Sequence, residues 1–85
     1  MDQKIKSDER INIGDNIRNC RYALGMTQEE MTAKLQLGGF LISRATYSKI
    51  EIGTHHVTAS QLRMIKDILG TTYEQLFEET KGDNK

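Results

Sequence analysis

A chain of 85 residues, 36% of them apolar, is long enough for one small domain and too short for a multi-domain enzyme; at this length only about 60–65% of the unfolded surface can be buried. Twelve basic residues balance twelve acidic ones, so net charge carries no sign of a nucleic-acid or membrane partner, and any such sign has to come from position. The single cysteine, Cys20, excludes an internal disulfide framework and fits a reducing cytoplasm; no apolar run approaches the roughly 20 residues of a membrane span, and Met1-Asp2-Gln3-Lys4 does not open a signal peptide.

Residues 1–10 are charged and nearly devoid of apolar side chains, which predicts a mobile arm, and residues 79–85 read as a solvated tail. The domain is expected between them, over 11–78. Ile13, Ile17, Cys20 and Leu24 are spaced four, three and four apart, which places them on one narrow arc of a helix, with Asn12 as its cap and Gly25 as its stop. Three later starts have the capping-box spacing: Thr27 with Glu30, Thr58 with Gln61, and Thr72 with Gln75. The Thr27 helix has Met31 and Leu35 as its apolar face. The Thr58 helix has Leu62, Ile65, Ile68 and Leu69, and the last has Tyr73, Leu76 and Phe77. Ser43 offers a further cap ahead of Arg44-Ala45-Thr46-Tyr47-Ser48-Lys49-Ile50-Glu51, with Gly53 as the stop. The spacing therefore predicts five helices, at about 13–24, 28–36, 44–51, 59–69 and 73–78, and an all-α fold. The only strand candidate, Gly38-Gly39-Phe40-Leu41-Ile42, is too short and isolated to count as one.

The 44–51 helix is the segment with chemistry to explain. At about 100° per residue its buried direction falls between Tyr47 and Ile50, which turns Ala45, Ser48 and Lys49 outward, with Arg44 and Thr46 on the flanks. A helix that offers two long cations, two hydroxyls and a methyl group suits base edges in a major groove, although any solvated helix also carries polar residues. Arg21 and Glu51 each lie at the margin of an apolar stripe, where an ion pair between them would be semi-buried.

The stretch Thr27-Gln28-Glu29-Glu30-Met31, Leu35, Ser43 to Glu51 and Gly53 resembles the lambda-repressor-like, Cro-type (XRE) helix-turn-helix family. The likeness extends upstream through Ile13-Gly14, Ile17-Arg18, Arg21 and Gly25-Met26, and downstream through Leu62, Ile65, Ile68-Leu69-Gly70 and Tyr73 to Phe77. It implies a five-helix lambda-repressor-like DNA-binding domain with a helix-turn-helix, the 44–51 helix lying in the major groove. By the same resemblance, Arg44, Ala45, Thr46 and Lys49 take base-facing positions, and Gln28 takes the polar position that meets a phosphate at a helix N-terminus. Ser48 reaches a base or a phosphate, and Thr54 and His55 are further candidates for phosphate. Arg18 is either a backbone contact or a solvated surface cation. The resemblance also implies that Arg21 and Glu51 pair and hold the fold. Three positions depart from the family pattern. Seven residues, 36–42, separate Leu35 from Ser43 where the family has only a few, which bears on the angle of the recognition helix; Thr32 replaces a smaller apolar residue, and Tyr47 a branched aliphatic.

Other chemistry finds little support. His55-His56 has no acid or thiol at ligand spacing, so no metal site is expected. Cys20 with a histidine as base would make a minimal nucleophile, but its place on an apolar stripe favours a core thiol; no enzyme activity and no cofactor are expected. The leading expectation is a cytoplasmic, sequence-specific transcriptional regulator of phage or mobile-element repressor type. It would bind a palindromic or pseudo-palindromic double-stranded site as a homodimer, through residues 70–85 or the Phe40/Leu41 turn. The alternative is a protein-interaction module on the same fold, acting as an antitoxin, anti-repressor or adaptor on a protein partner.

Overall fold

The structure, a computed structural model, describes residues 4–5 and 11–79. Its elements in chain order are β1 (Lys4–Ile5), α1 (Ile13–Ala23), α2 (Gln28–Leu37), α3 (Arg44–Ile52), β2 (Val57–Thr58), α4 (Ala59–Leu69) and α5 (Tyr73–Leu76). Five helices at the expected places make this the all-α helix-turn-helix fold. No described helix is long and apolar enough to cross a membrane.

Each helix starts where a short polar side chain can take up an orphan backbone N–H. Asn12 accepts from the Asp15 N–H at 3.0 Å, and Ser43 from the Thr46 N–H at 3.1 Å. The boxes at Thr27/Glu30 and Thr58/Gln61 are complete in both directions. The third is half a box. Thr72 accepts from the Gln75 N–H, but the Gln75 side chain accepts from the neighbouring Thr71 hydroxyl instead of reaching back.

The apolar faces meet in one core, with Ile17 from α1, Met31 and Leu35 from α2, Tyr47 and Ile50 from α3, Leu62 and Ile65 from α4, and Leu76 from α5. Contacts of α3 with both α1 and α2 seat it firmly against the core. Thr32 is buried with its hydroxyl donating to the Gln28 carbonyl at 2.8 Å, so its polar atom is satisfied within its own helix.

Three expectations need correction. Leu24 lies on the α1 stripe yet is 54% exposed, because α4 ends at Leu69 and α5 is a single turn. Among the described residues nothing covers the end of α1, and an open groove of about 330 Å³ lies there, lined by Cys20, Ala23, Leu24 and Leu69 among others. Cys20 is accordingly half-buried, packed against the edge of the core rather than enclosed in it. A two-stranded antiparallel ribbon is also present, pairing Lys4 with Thr58 and Ile5 with Val57. Two-residue strands are too short to leave a period-two pattern, and β2 is the extended backbone that leads into the Thr58 cap. The expected mobile arm thus includes a paired stretch at Lys4–Ile5; its other residues, and tail residues 80–85, lie outside the described residues.

The long connection between α2 and α3 is tied down at both ends. Gly39 turns the chain at φ 100°, a left-handed conformation costly for residues with a side chain. The Phe40 N–H donates to the Leu35 carbonyl at 3.1 Å, and the Gln36 amide donates to the Ile42 carbonyl at 2.8 Å. Ile42 enters the core, Phe40 packs against its edge and Leu41 stands fully in solvent.

Candidate nucleic-acid interface

Helix α3 buries Tyr47, Ile50 and Glu51 and leaves Arg44, Ala45 and Lys49 exposed, with Thr46 and Ser48 between. The one-sided display follows from a nine-residue helix whose apolar positions lie three apart. The Ser43 hydroxyl donates to the Thr46 hydroxyl at 3.1 Å as well as capping the helix. At the far end the Lys49 carbonyl accepts from the N–H groups of Gly53, Thr54 and His55, which fixes the loop that follows.

Beneath this surface Arg21 and Glu51 form a buried pair, 5% and 2% exposed. The expectation of a semi-buried pair understated it. Arg21 donates to Glu51 through Nε at 2.7 Å and Nη2 at 2.9 Å, and through Nη1 to the Met26 carbonyl at 2.8 Å. Tyr47 donates its hydroxyl to Glu51 Oε2, which gives this buried phenol the partner it needs. Burial pushes the Glu51 carboxyl upward, but hydrogen bonds from Arg21, Tyr47 and Gln28 outweigh it and hold the group below the ordinary carboxylate range. The Tyr47 phenol is held far above its usual range, by burial first and then by its bond to Glu51. The Arg21 guanidinium is raised too, chiefly by its bonds to Glu51.

Two open grooves flank α3. One, of about 480 Å³, lies between the end of α1, the start of α2 and Arg44; Tyr22, Thr27, Gln28 and Glu29 line it. Among the described residues the backbone N–H groups of Gln28 and Glu29, at the positive end of α2, have no acceptor. The other, of about 330 Å³, is lined by Thr54, His55, His56, Thr58 and Gln61. The expected phosphate candidates Gln28, Thr54 and His55 therefore lie in these two grooves, Gln28 beside the start of α3 and Thr54 and His55 beyond its end. Arg18 lies in neither groove and is paired with Asp15 at 2.9 Å. Tyr22 was not singled out from the sequence, because it falls off the α1 apolar stripe. It is exposed in the first groove, with the Arg21 guanidinium 4.8 Å from its ring centroid.

The remaining candidates do not assemble into a site. Cys20 lines the groove at the end of α1, whereas His55 and His56 line the one after α3, so no thiol–imidazole pair is formed. No group of three or more potential metal ligands occurs among the described residues. The α2–α3 turn does present apolar side chains, with Leu37 88% exposed and Leu41 fully so.

A five-helix domain with a core-anchored helix that turns Arg44 and Lys49 outward between two grooves is the architecture of a helix-turn-helix protein. The sequence model of the helix-turn-helix family matches residues 17–76, and the chain belongs to that family, in its XRE (Cro-type) branch of DNA-binding transcriptional regulators. Over 73 residues it is 37% identical to an uncharacterized HTH-type transcriptional regulator of Sinorhizobium medicae and, to the same extent, to one of Rhizobium meliloti. The alignment covers 86% of this chain and 49% of each relative, so the chain spans about half the length of the curated relatives it matches.

Proposed function

We propose that this chain is a sequence-specific DNA-binding regulator that docks α3 in the major groove. In this reading Arg44, Ala45, Thr46 and Lys49 meet base edges. Gln28 with the α2 N-terminus, Ser48, Thr54 and His55 meet the sugar–phosphate backbone. The observation that supports this most is the division of α3 itself, which is fully anchored on one side and cationic on the other, with grooves of suitable chemistry at both ends. Arg18, engaged with Asp15 away from both grooves, is best read as a surface cation. Residues 11–78 form the DNA-binding unit, within which the family match falls. One such unit reads only a few base pairs, so we assign it a two-fold dimer on half-sites about 34 Å apart. The repressor role of phage or mobile-element type and the cytoplasmic setting rest on the resemblance to Cro-type proteins. A second reading, an interaction module acting on a protein partner, draws on the exposed Leu37 and Leu41.

Selection from random duplexes at about 100 mM salt is expected to return a palindromic or pseudo-palindromic motif. Lys49→Ala is expected to relax preference at one position per half-site, by about 1–3 kcal/mol of discrimination, with the rest of the motif unchanged. Enrichment of no sequence, together with a stoichiometric protein partner on co-purification, would move the assignment to the interaction module.

A further inference from the structure

Gln28 touches both the buried ion pair and the first cation of the recognition helix. Its Nε2 donates to Glu51 Oε1 at 3.1 Å, and its Oε1 accepts from Arg44 Nη1 at 3.3 Å. A side-chain amide has a donor end and an acceptor end, and which end faces inward is decided by its buried partner. Glu51 is an ionised carboxylate, able only to accept, and it takes two bonds from Arg21 and one from Tyr47 besides the one from Gln28. Gln28 therefore has to turn its NH2 group toward Glu51. The carbonyl end is left outward, where it can hold a guanidinium. A neutral amide at position 51 would allow Gln28 the opposite orientation, which sets its NH2 against Arg44 and releases that side chain.

We propose that Glu51 is a positioning residue for DNA recognition: acting through Gln28, it aims the Arg44 guanidinium and so sets the base preference at the position Arg44 reads. The proposal rests on the DNA-binding reading and adds a role in specificity to a pair otherwise assigned to holding the fold. Arg44 is exposed and long, so its free rotamers would blur recognition; one fixed acceptor at its head narrows them before DNA arrives. Glu51 and Tyr47 do this from inside the core.

The test is base preference at every position of the selected site, measured on the whole chain with Arg44→Ala marking the position that Arg44 reads. Gln28→Met and Glu51→Gln are each expected to lower preference at that base pair about tenfold, within the range of one bidentate contact, and to leave other positions within about twofold. The combined variant is expected to lose no more than either alone, because both act through one chain of contacts. Preference at the Arg44 position left intact in both variants, whatever uniform loss of affinity the missing Gln28 phosphate contact brings, overturns the positioning role while the DNA-binding reading stands. Failure of the unsubstituted chain to select any motif defeats that reading and this proposal with it. Should Glu51→Gln not fold, nuclear Overhauser contacts in the unsubstituted chain decide: Gln28 amide protons near the Glu51 methylenes are expected, and contacts to Arg44 side-chain protons alone overturn the proposal.

Discussion

Glu51→Ala is expected to destabilise the domain by about 3–5 kcal/mol, a large share of the roughly 5–15 kcal/mol that holds a small domain folded. The substitution leaves the Arg21 guanidinium buried with the Met26 carbonyl as its remaining acceptor, and deprives the Tyr47 hydroxyl of its acceptor. Most of the cost is the stranded charge rather than the lost attraction. Arg21→Met combined with Glu51→Leu is accordingly expected to recover much of the loss in a urea denaturation series, although either change alone does not. The pair also fixes the acid limb of the stability curve. The Glu51 carboxyl lies lower in the folded state than its ordinary value of 4.5. Its contribution is therefore fully present above that pH and is lost as pH falls through the depressed folded value. The Tyr47 phenol is raised above its ordinary 10.0, so its contribution holds below pH 10 and is lost as pH rises through the folded value. Denaturation midpoints across pH should show the acid limb flattened in Arg21→Met/Glu51→Leu relative to the parent. An unchanged limb would mean other carboxylates govern it.

The local features of this fold were legible because they are decided by neighbours in sequence. Caps at Asn12, Thr27, Ser43 and Thr58 bond N–H groups three residues away, and the α3 pattern, with Tyr47 and Ile50 inward and Arg44, Ala45 and Lys49 outward, needs only the helical repeat. What failed to show depends on partners far along the chain. Leu24 sits at the middle of its stripe, but whether that stripe is covered depends on where α4 stops and how short α5 is. The Lys4–Ile5 ribbon exists only because Val57–Thr58 is already extended at a helix cap. At Thr72 the motif was present, but Thr71 competes for the Gln75 carbonyl, and a three-residue spacing cannot register that rivalry. At the candidate site the resemblance placed Gln28 near phosphate. Its bond to a carboxylate 23 positions away, and so its hold on Arg44, required the packed helices. Tyr22 joins the candidate site for the same reason, since its groove is made by the start of α2 and by Arg44 as well as by α1.

Gly14→Ala is the second change expected to have a large effect, and helix propensity gets its sign wrong. In an open helix the substitution is worth roughly 1 kcal/mol in stability, because alanine loses less backbone freedom on folding. At position 14, however, α1 crosses the end of α3 so closely that a Cβ would lie 2.7 Å from the Ile50 carbonyl oxygen and 2.9 Å from the Glu51 carbonyl carbon, closer than real Cβ atoms approach. The obstacle is backbone, so no side-chain rotation relieves it, and α3 has to move away from α1. Overpacking of this kind costs about 1–3 kcal/mol beyond any propensity gain, and a backbone obstacle puts it at the upper end. The movement also pulls on the Arg21–Glu51 bonds, which tie the same two helices together. Two measurements separate the effects: a thermal melt, expected to show a lower midpoint, and DNA affinity at a temperature where parent and variant are both fully folded. Affinity is expected to fall there as well, because the displaced helix carries Arg44 and Lys49. Unchanged affinity with a lowered midpoint would mean that α3 keeps its aim and the strain is taken up in α1, leaving Gly14 a role in packing alone.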